Sequence, residues 1–174
     1  MFQMMERENM EVQKYQIDYE YVMEKYADMV YRIAITITGS TEDAKDAFQE
    51  TFLRLVKNKD KIHDEEHLKA WLIRVVSNCS KSLMTSPWNK RTQGLDETDV
   101  QAVSMNDSDF LLQEINNLPA NYAIPLYLFY YEDYSLKEIE KILGINVNTV
   151  KTLLRRGRNA LKKRLEKDGF NYVR

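Results

Sequence analysis

The sequence predicts an all-α protein built as two small helical domains joined by a flexible linker. Three observations carry this expectation. Glycine (5) and proline (3) are rare among the 174 residues, while the helix-favouring Leu, Lys, Glu and Met are common. Apolar residues recur at three- and four-residue steps in several stretches, and no stretch alternates as a strand would. Between residues 85 and 108 (TSPWNKRTQGLDETDVQAVSMNDS) the periodicity is lost, Ser, Thr, Asp and Asn accumulate, and Pro87 and Gly94 occur. The chain therefore divides into an N-terminal extension (1–17), a first helical domain (18–84), a linker (85–108) and a second helical domain (109–174).

In chain order, Val22, Met23, Tyr26, Met29, Val30 and Ile33 predict a helix over 18–38, with a break near Lys25–Tyr26, stopped by Gly39. Ser40, with Asp43 three residues on, approximates a capping box opening a helix to about Lys57, with Ala44, Ala47, Phe48, Phe52 and Leu55 inward. A polar loop, NKDKIHDEE, follows. A third helix is expected from about Glu66 to Leu83, its apolar stripe made of Leu68, Trp71, Leu72, Val75, Val76 and Cys79. After the linker come four short helices, at Phe110–Asn117, Pro119–Glu132, Leu136–Leu143 and Val147 to about Lys167. Pro119 suits a first helical position and Pro125 is expected to kink its helix.

Composition narrows the function. The lone Cys79 cannot close an internal disulfide, which suits a reducing cytosol, and it excludes the usual Cys-based zinc sites. The N-terminal residues carry charges throughout and no apolar signal core, so export is not expected. The longest apolar-rich stretch, MVYRIAITI, is too short for a membrane span and contains Arg32. Charge is distributed in blocks. Residues 1–56 hold 6 basic and 11 acidic residues, 67–91 hold 5 basic and none acidic, and 92–111 hold 5 acidic and none basic. Residues 147–174 hold nine basic and two acidic residues in a chain of net charge −2. Such alternation assigns separate surfaces to different partners.

The segment SLKEIEKILGINVNTVKTLLRRGRNAL reads as a helix-turn-helix. Ser135 and Glu138 form a capping box, Gly144 supplies the left-handed turn residue, Ile145 anchors the turn, and Asn146 caps the second helix. On that helix Val150, Leu153, Leu154, Gly157 and Leu161 face inward. Asn148, Thr152, Arg155, Arg156 and Asn159 face outward, flanked by Thr149, Lys151 and Arg158. Short polar groups near the helix start and long cations further along suit a helix in a DNA major groove, with bases read near the N-terminus and phosphates held by arginines. A merely solvated cationic face, or an amphipathic helix for a membrane surface, leaves the capped turn unexplained. In the first half, Asp43, Asp46 and Glu50, with Gln49 beside them, share one helix face. They form either an ordinary solvated stripe or a docking face for a basic partner.

These blocks together resemble the extracytoplasmic-function (group 4) sigma factors of bacterial RNA polymerase, over roughly residues 18–165. EDAKDAFQETFLRL (42–55) resembles the region 2.2 helix that docks on the β′ clamp helices, and HLKAWLIRVVSN (67–78) resembles the region 2.3–2.4 helix that meets the melted −10 element. LPANYAIPLYLFYYEDYSLKEIEKILGINVNTVKTLLRRGRNALKK (118–163) resembles region 4, whose helix-turn-helix binds the −35 element. The resemblance implies core-polymerase contacts by Asp43, Asp46, Gln49, Glu50 and Phe52, with Phe52 packing inward. It implies −10 contacts along Trp71, Arg74, Asn78 and Lys81. Asn78 is the better candidate for the unpaired strand, Arg74 and Lys81 supply phosphate charge, and Trp71 reads as core before stacking platform. The loop Lys57–Glu66 corresponds to one that helps form a flipped-base pocket. The −35 set is Asn148, Thr149, Lys151, Thr152, Arg155, Arg156 and Arg158. Implied partners are core RNA polymerase (β′ clamp helices and β flap), promoter DNA and an anti-sigma factor. The protein is expected to be a cytoplasmic monomer when free, with no cofactor, no metal and no membrane insertion, and its two DNA-reading units are expected to be spaced only loosely by the linker. Three positions depart from the family pattern: Glu140 stands where Ala is usual, Asn148 where Gly is frequent, and Pro125 is unusual.

Two rival readings are weaker. HDEEH (63–67) places two His four apart, but a zincin needs Glu where Asp64 stands, and no nucleophile–base pair accompanies it. A non-sigma helix-turn-helix regulator would have no reason to carry the 42–55 block together with the Trp71 helix.

Overall fold

A computed structural model describes residues 15–85 and 107–167. Among these are seven α-helices and no strand: α1 (Tyr19–Thr38), α2 (Thr41–Asn58), α3 (Glu65–Thr85), α4 (Asp107–Asn116), α5 (Ala120–Tyr130), α6 (Leu136–Leu143) and α7 (Val147–Lys167). A short 3₁₀ turn, Lys59–Lys61, links α2 to α3. The expected linker lies outside the described residues, except for its two ends. The second of these is helical: α4 starts at Asp107, three residues before the sequence pattern suggests.

The first three helices pack on one another. Val22, Val30, Ile33, Ala44, Ala47, Leu55, Leu68, Leu72, Ile73 and Val76 are all buried between them. Asp18 caps α1 by accepting from the Glu20 and Tyr21 amides, and Gly39 ends it at φ 64°, a left-handed conformation that a Cβ would penalise. Contrary to the sequence expectation, α1 runs unbroken through Lys25–Tyr26. The reason is non-local: Lys25, Tyr21 (3.0 Å) and Tyr26 (2.9 Å) all donate to Oε1 of Glu65 in the first turn of α3. Neither residue breaks a helix intrinsically, and both gain a partner by continuing it. The loop before α3 is polar but not wholly solvated, because Ile62 is plugged into the core at 2% exposure.

In the second half, α5 and α6 pack across α7. Pro119 is the cap residue of α5 rather than its first helical residue, and the helix passes through buried Pro125 without ending. Gly157 lies where α7 crosses α5: a Cβ there would stand 2.9 Å from Leu126 Cδ1 and 3.2 Å from Tyr122 Cβ. Buried Glu114 on α4 accepts from Arg164 Nε at 2.9 Å and pins the far end of α7.

The two halves are not loosely spaced. They touch along α3–α6 and α1–α5, and a single apolar cluster runs through both. Among the described residues, polar contacts cross the seam at Lys69, Arg74 and Thr36. Lys69 pairs with Glu132 at 2.7 Å and lies over the Tyr134 ring. Arg74 Nη2 donates to the Lys141 carbonyl at 2.7 Å. Thr36 donates to Asn116 Oδ1 at 3.3 Å. Tyr127 donates to the second oxygen of Glu132 at 2.5 Å and orients that carboxylate toward the seam.

Two outcomes follow. Gly157→Val overfills the α5–α7 crossing, whose neighbour Leu126 is fully buried, and lowers stability by about 1–3 kcal/mol in chemical denaturation. The Lys25 ammonium and the two tyrosine hydroxyls lower the pKa of the Glu65 carboxyl from 4.5 to about 2. Its stabilisation is therefore complete above pH about 4.5 and disappears as pH falls toward 2. The stability gap between wild type and Glu65→Gln, followed by thermal denaturation, is expected to be widest near neutrality and to close across that window.

Candidate nucleic-acid and partner interfaces

The helix-turn-helix forms because its caps are local and complete. Ser135 N donates to Glu138 Oε2 (2.8 Å) while Glu138 N donates to Ser135 Oγ (3.4 Å). Gly144 turns the chain at φ 65°. Asn146 Oδ1 accepts from Asn148 N at 2.8 Å. Helix α7 buries Val150, Leu154, Gly157 and Leu165, leaving Asn148, Thr149, Lys151, Arg155, Arg156, Arg158 and Asn159 exposed. At 3.6 residues per turn, Arg155 lies within about 20° of Asn148 around the helix, and Asn159 and Lys151 also fall near that line. Arg156 and Arg158 lie about 80° to either side. Arg155 is thus central and fit to reach base edges, while Arg156 and Arg158 flank the stripe where the two walls of a groove would stand. Thr152 is half-buried, and its hydroxyl donates to the Asn148 carbonyl at 2.9 Å, leaving only its lone pairs for a ligand. Two cations of the basic block are already engaged: Arg164 with Glu114, and Lys162 with Glu166 at 3.6 Å.

On α3, Trp71, Arg74, Asn78 and Lys81 fall at steps of three, four and three and share one face. Arg74, Asn78 and Lys81 are exposed, and Trp71 is half-buried against the core. The seam reaches this face. Arg74 is hydrogen-bonded to the C-terminal end of α6, and Lys69 is bound to Glu132, so the basic helix is partly occupied by the other half of the chain.

On α2, Asp46 and Gln49 are exposed, and Asp43 and Glu50 are half-buried. Ser40 accepts from the Asp43 amide, and Glu50 holds Arg54 at 2.6 Å. Phe52 turns inward and packs on Phe48 with ring centroids 4.8 Å apart. Two residues missing from the sequence-derived set stand out. Leu53 is 56% exposed and Val56 54% exposed. They continue the Asp46–Gln49 stripe by three- and four-residue steps, and an apolar run on an otherwise polar face is the signal the sequence offers for them. Beside them a concavity of about 470 Å³ opens between α2 and α3, lined by Asp46, Gln49, Glu50, Leu53 and Arg54 of α2 and by Cys79, Ser82 and Leu83 of α3. Burial pushes the Cys79 thiol up, so it stays protonated at neutral pH.

His63 and His67 stack at 5.2 Å, and Asp64 caps the start of α3 by accepting from the His67 amide at 2.7 Å. Among the described residues no group of three or more His, Cys, Asp or Glu could hold a metal ion, and no helix is long and apolar enough to cross a membrane.

Comparison with known proteins accounts for both halves. Residues 22–89 match the family described as Sigma-70 region 2, and residues 111–161 match Sigma-70, region 4. The ECF RNA polymerase sigma factor SigW of Bacillus subtilis is 30% identical over 162 residues, covering 83% of this chain and 87% of SigW. The sigma factor SigV of the same organism is 26% identical over 146 residues, covering 81% and 87% of the two chains. Among solved structures, the sigma factor RpoE of Bartonella quintana, crystallised with the anti-sigma factor NepR, has the same fold, with a TM-score of 0.65 over 86% of this chain and 97% of that one at 22% identity. With both regions matched in order and SigW similar along nearly its whole length, the chain belongs to the extracytoplasmic-function group of RNA polymerase sigma factors.

Proposed function

We propose that this sigma factor directs promoter-specific initiation by presenting three faces to three surfaces, and that its free form must open before it can do so. The α2 face, with Asp43, Asp46, Gln49 and Glu50 around an apolar centre of Leu53 and Val56, docks on core polymerase. The α3 face, with Asn78 flanked by Arg74 and Lys81 and Trp71 at its root, meets the unpaired −10 strand. The exposed stripe of α7 reads the −35 duplex. The loop around Ile62 borders the −10 face and is the candidate wall of a base pocket. Sigma factors are initiation factors rather than catalysts, and bond-forming chemistry belongs to the polymerase.

The observation that carries the opening step is the docking of Arg74 and Lys69 against the helix-turn-helix half. Elements named −10 and −35 lie about 25 base pairs apart, about 85 Å of duplex at ~3.4 Å per pair. The whole of α7 is about 32 Å long at ~1.5 Å per residue. Two halves in contact cannot reach both elements at once. Core polymerase, by holding each half in its separated place, supplies the open form and the effective concentration that free protein lacks. An anti-sigma factor that binds the closed form would oppose this and couple release to an envelope or stress signal. A neighbour of the same fold was crystallised with an anti-sigma factor. The fitting location is the cytoplasm, and the fitting free state is a monomer.

The test is in vitro transcription with bacterial core polymerase over a pooled genomic promoter library. New start sites seen only with the protein, sharing two upstream elements, are expected. Their absence, with specific duplex binding by the free chain, would instead favour the plain regulator. Leu53→Asp puts a charge into the apolar centre of the α2 face and is expected to cut holoenzyme formation at least tenfold while α7 binding to duplex persists. For the −35 surface, Arg155→Ala/Arg156→Ala in the holoenzyme is expected to abolish −35 dependence. It should also lower the slope of log affinity against log salt by about 0.9 for each phosphate no longer neutralised, read by titration at several salt concentrations.

A further inference from the structure

Glu140 departs from the family pattern, and the structure gives it a use. Its backbone carbonyl accepts from the amides of Gly144 (2.9 Å) and Ile145 (3.2 Å), closing the turn after α6. Its side chain then crosses the turn, and Oε1 accepts from the amide of Val147, the first residue of α7, at 3.0 Å. One residue of the supporting helix therefore fixes both the turn and the first turn of the recognition helix. The next amide, of Asn148, is held by Asn146. Glu140 is half-buried, and among the described residues no Lys or Arg pairs with it, so its charge is balanced chiefly by the positive end of α7. An Ala at this position would leave the Val147 amide without this acceptor and open to a phosphate oxygen.

We infer that Glu140 is a positioning residue for promoter recognition. It orients the first turn of α7, which carries Asn148 and Thr149, and by occupying the helix N-terminus it denies that end to non-specific phosphate contact. The inference rests on the reading of α7 as the −35 helix. Its consequence is specific. Losing the Glu140 acceptor should relax base preference at the end of the element read by Asn148 and Thr149, and leave untouched the preference read by Arg155 and Asn159, further along the helix.

The experiment uses holoenzyme on a promoter library with a randomised −35 element and compares wild type, Glu140→Gln and Glu140→Ala. Gln keeps a carbonyl oxygen for the Val147 amide and removes the charge; it should retain the wild-type order of preferred bases and bind DNA somewhat more tightly at low salt. Ala, the strongest helix former, keeps α6 but loses the acceptor. It should flatten discrimination at the Asn148–Thr149 end by roughly fivefold, the worth of one cap. Glu140→Leu, which keeps the bulk of the stem without an acceptor, serves as the second variant should Ala fold poorly, and thermal denaturation of all variants runs alongside. Preferences unchanged in the Ala or Leu variant would overturn the inference. So would uniform flattening at every position, or Gln behaving as Ala does. If wild type itself shows no −35 preference, the reading of α7 fails instead, and the two failures are distinguishable.

Discussion

The contact on which the architecture turns is the small polar seam between the halves. Lys69 and Glu132 are only 28% and 14% exposed at their side chains, so their pairing is better shielded than the surface ion pairs elsewhere on the chain. Tyr127 fixes the carboxylate from behind, and its own hydroxyl is held protonated well above the usual tyrosine range, by burial first and by Glu132 second. Removing one partner would strand the other in a poorly hydrated place, whereas moving the halves apart returns both to water together. A seam of this kind is reversible as a unit, which is what the proposed opening requires.

That arrangement limits what polymerase docking can accomplish. The α2 face lies away from the seam and is equally available in the closed and open forms. A partner that binds both forms equally shifts neither, however tightly it binds. Docking on α2 alone therefore does not open the protein. The proposed opening requires that polymerase also hold the C-terminal half in a separated position, the second contact being the one that would move the equilibrium. The charge blocks fit the same logic. Under the proposed opening, Lys69 and Arg74 would leave the seam and become available to DNA, whereas Arg164, bound to buried Glu114 within the second half, would keep its partner.

The features legible in the sequence are those written locally. The helix-turn-helix can be placed to the residue because Ser135, Glu138, Gly144 and Asn146 act within three or four positions of themselves. Phe52 can be turned inward from periodicity. What escapes such a reading depends on residues far apart in the chain. The continuity of α1 rests on Glu65, some forty residues away, and the docking of the halves rests on pairs such as Arg74 with Lys141, 67 positions apart. The side-chain reach of Glu140 is invisible in the sequence because an acid in a helix is unremarkable until the turn brings Val147 beside it. Leu53 and Val56 are a different case: their spacing continues the exposed Asp46–Gln49 stripe, a signal the sequence does carry, and their exposure confirms that they stand outside the core.

The central claim is that the two DNA-reading halves are docked on each other in the free protein and apart in the holoenzyme. Resonance energy transfer between dyes at exposed Lys81 on α3 and exposed Lys163 on α7, each replaced by Cys in a Cys79→Ser background, measures it directly. High transfer in the free chain that falls sharply when core polymerase is added is the result expected. Low transfer already in the free chain, or high transfer unchanged in an initiation-competent holoenzyme, would contradict it.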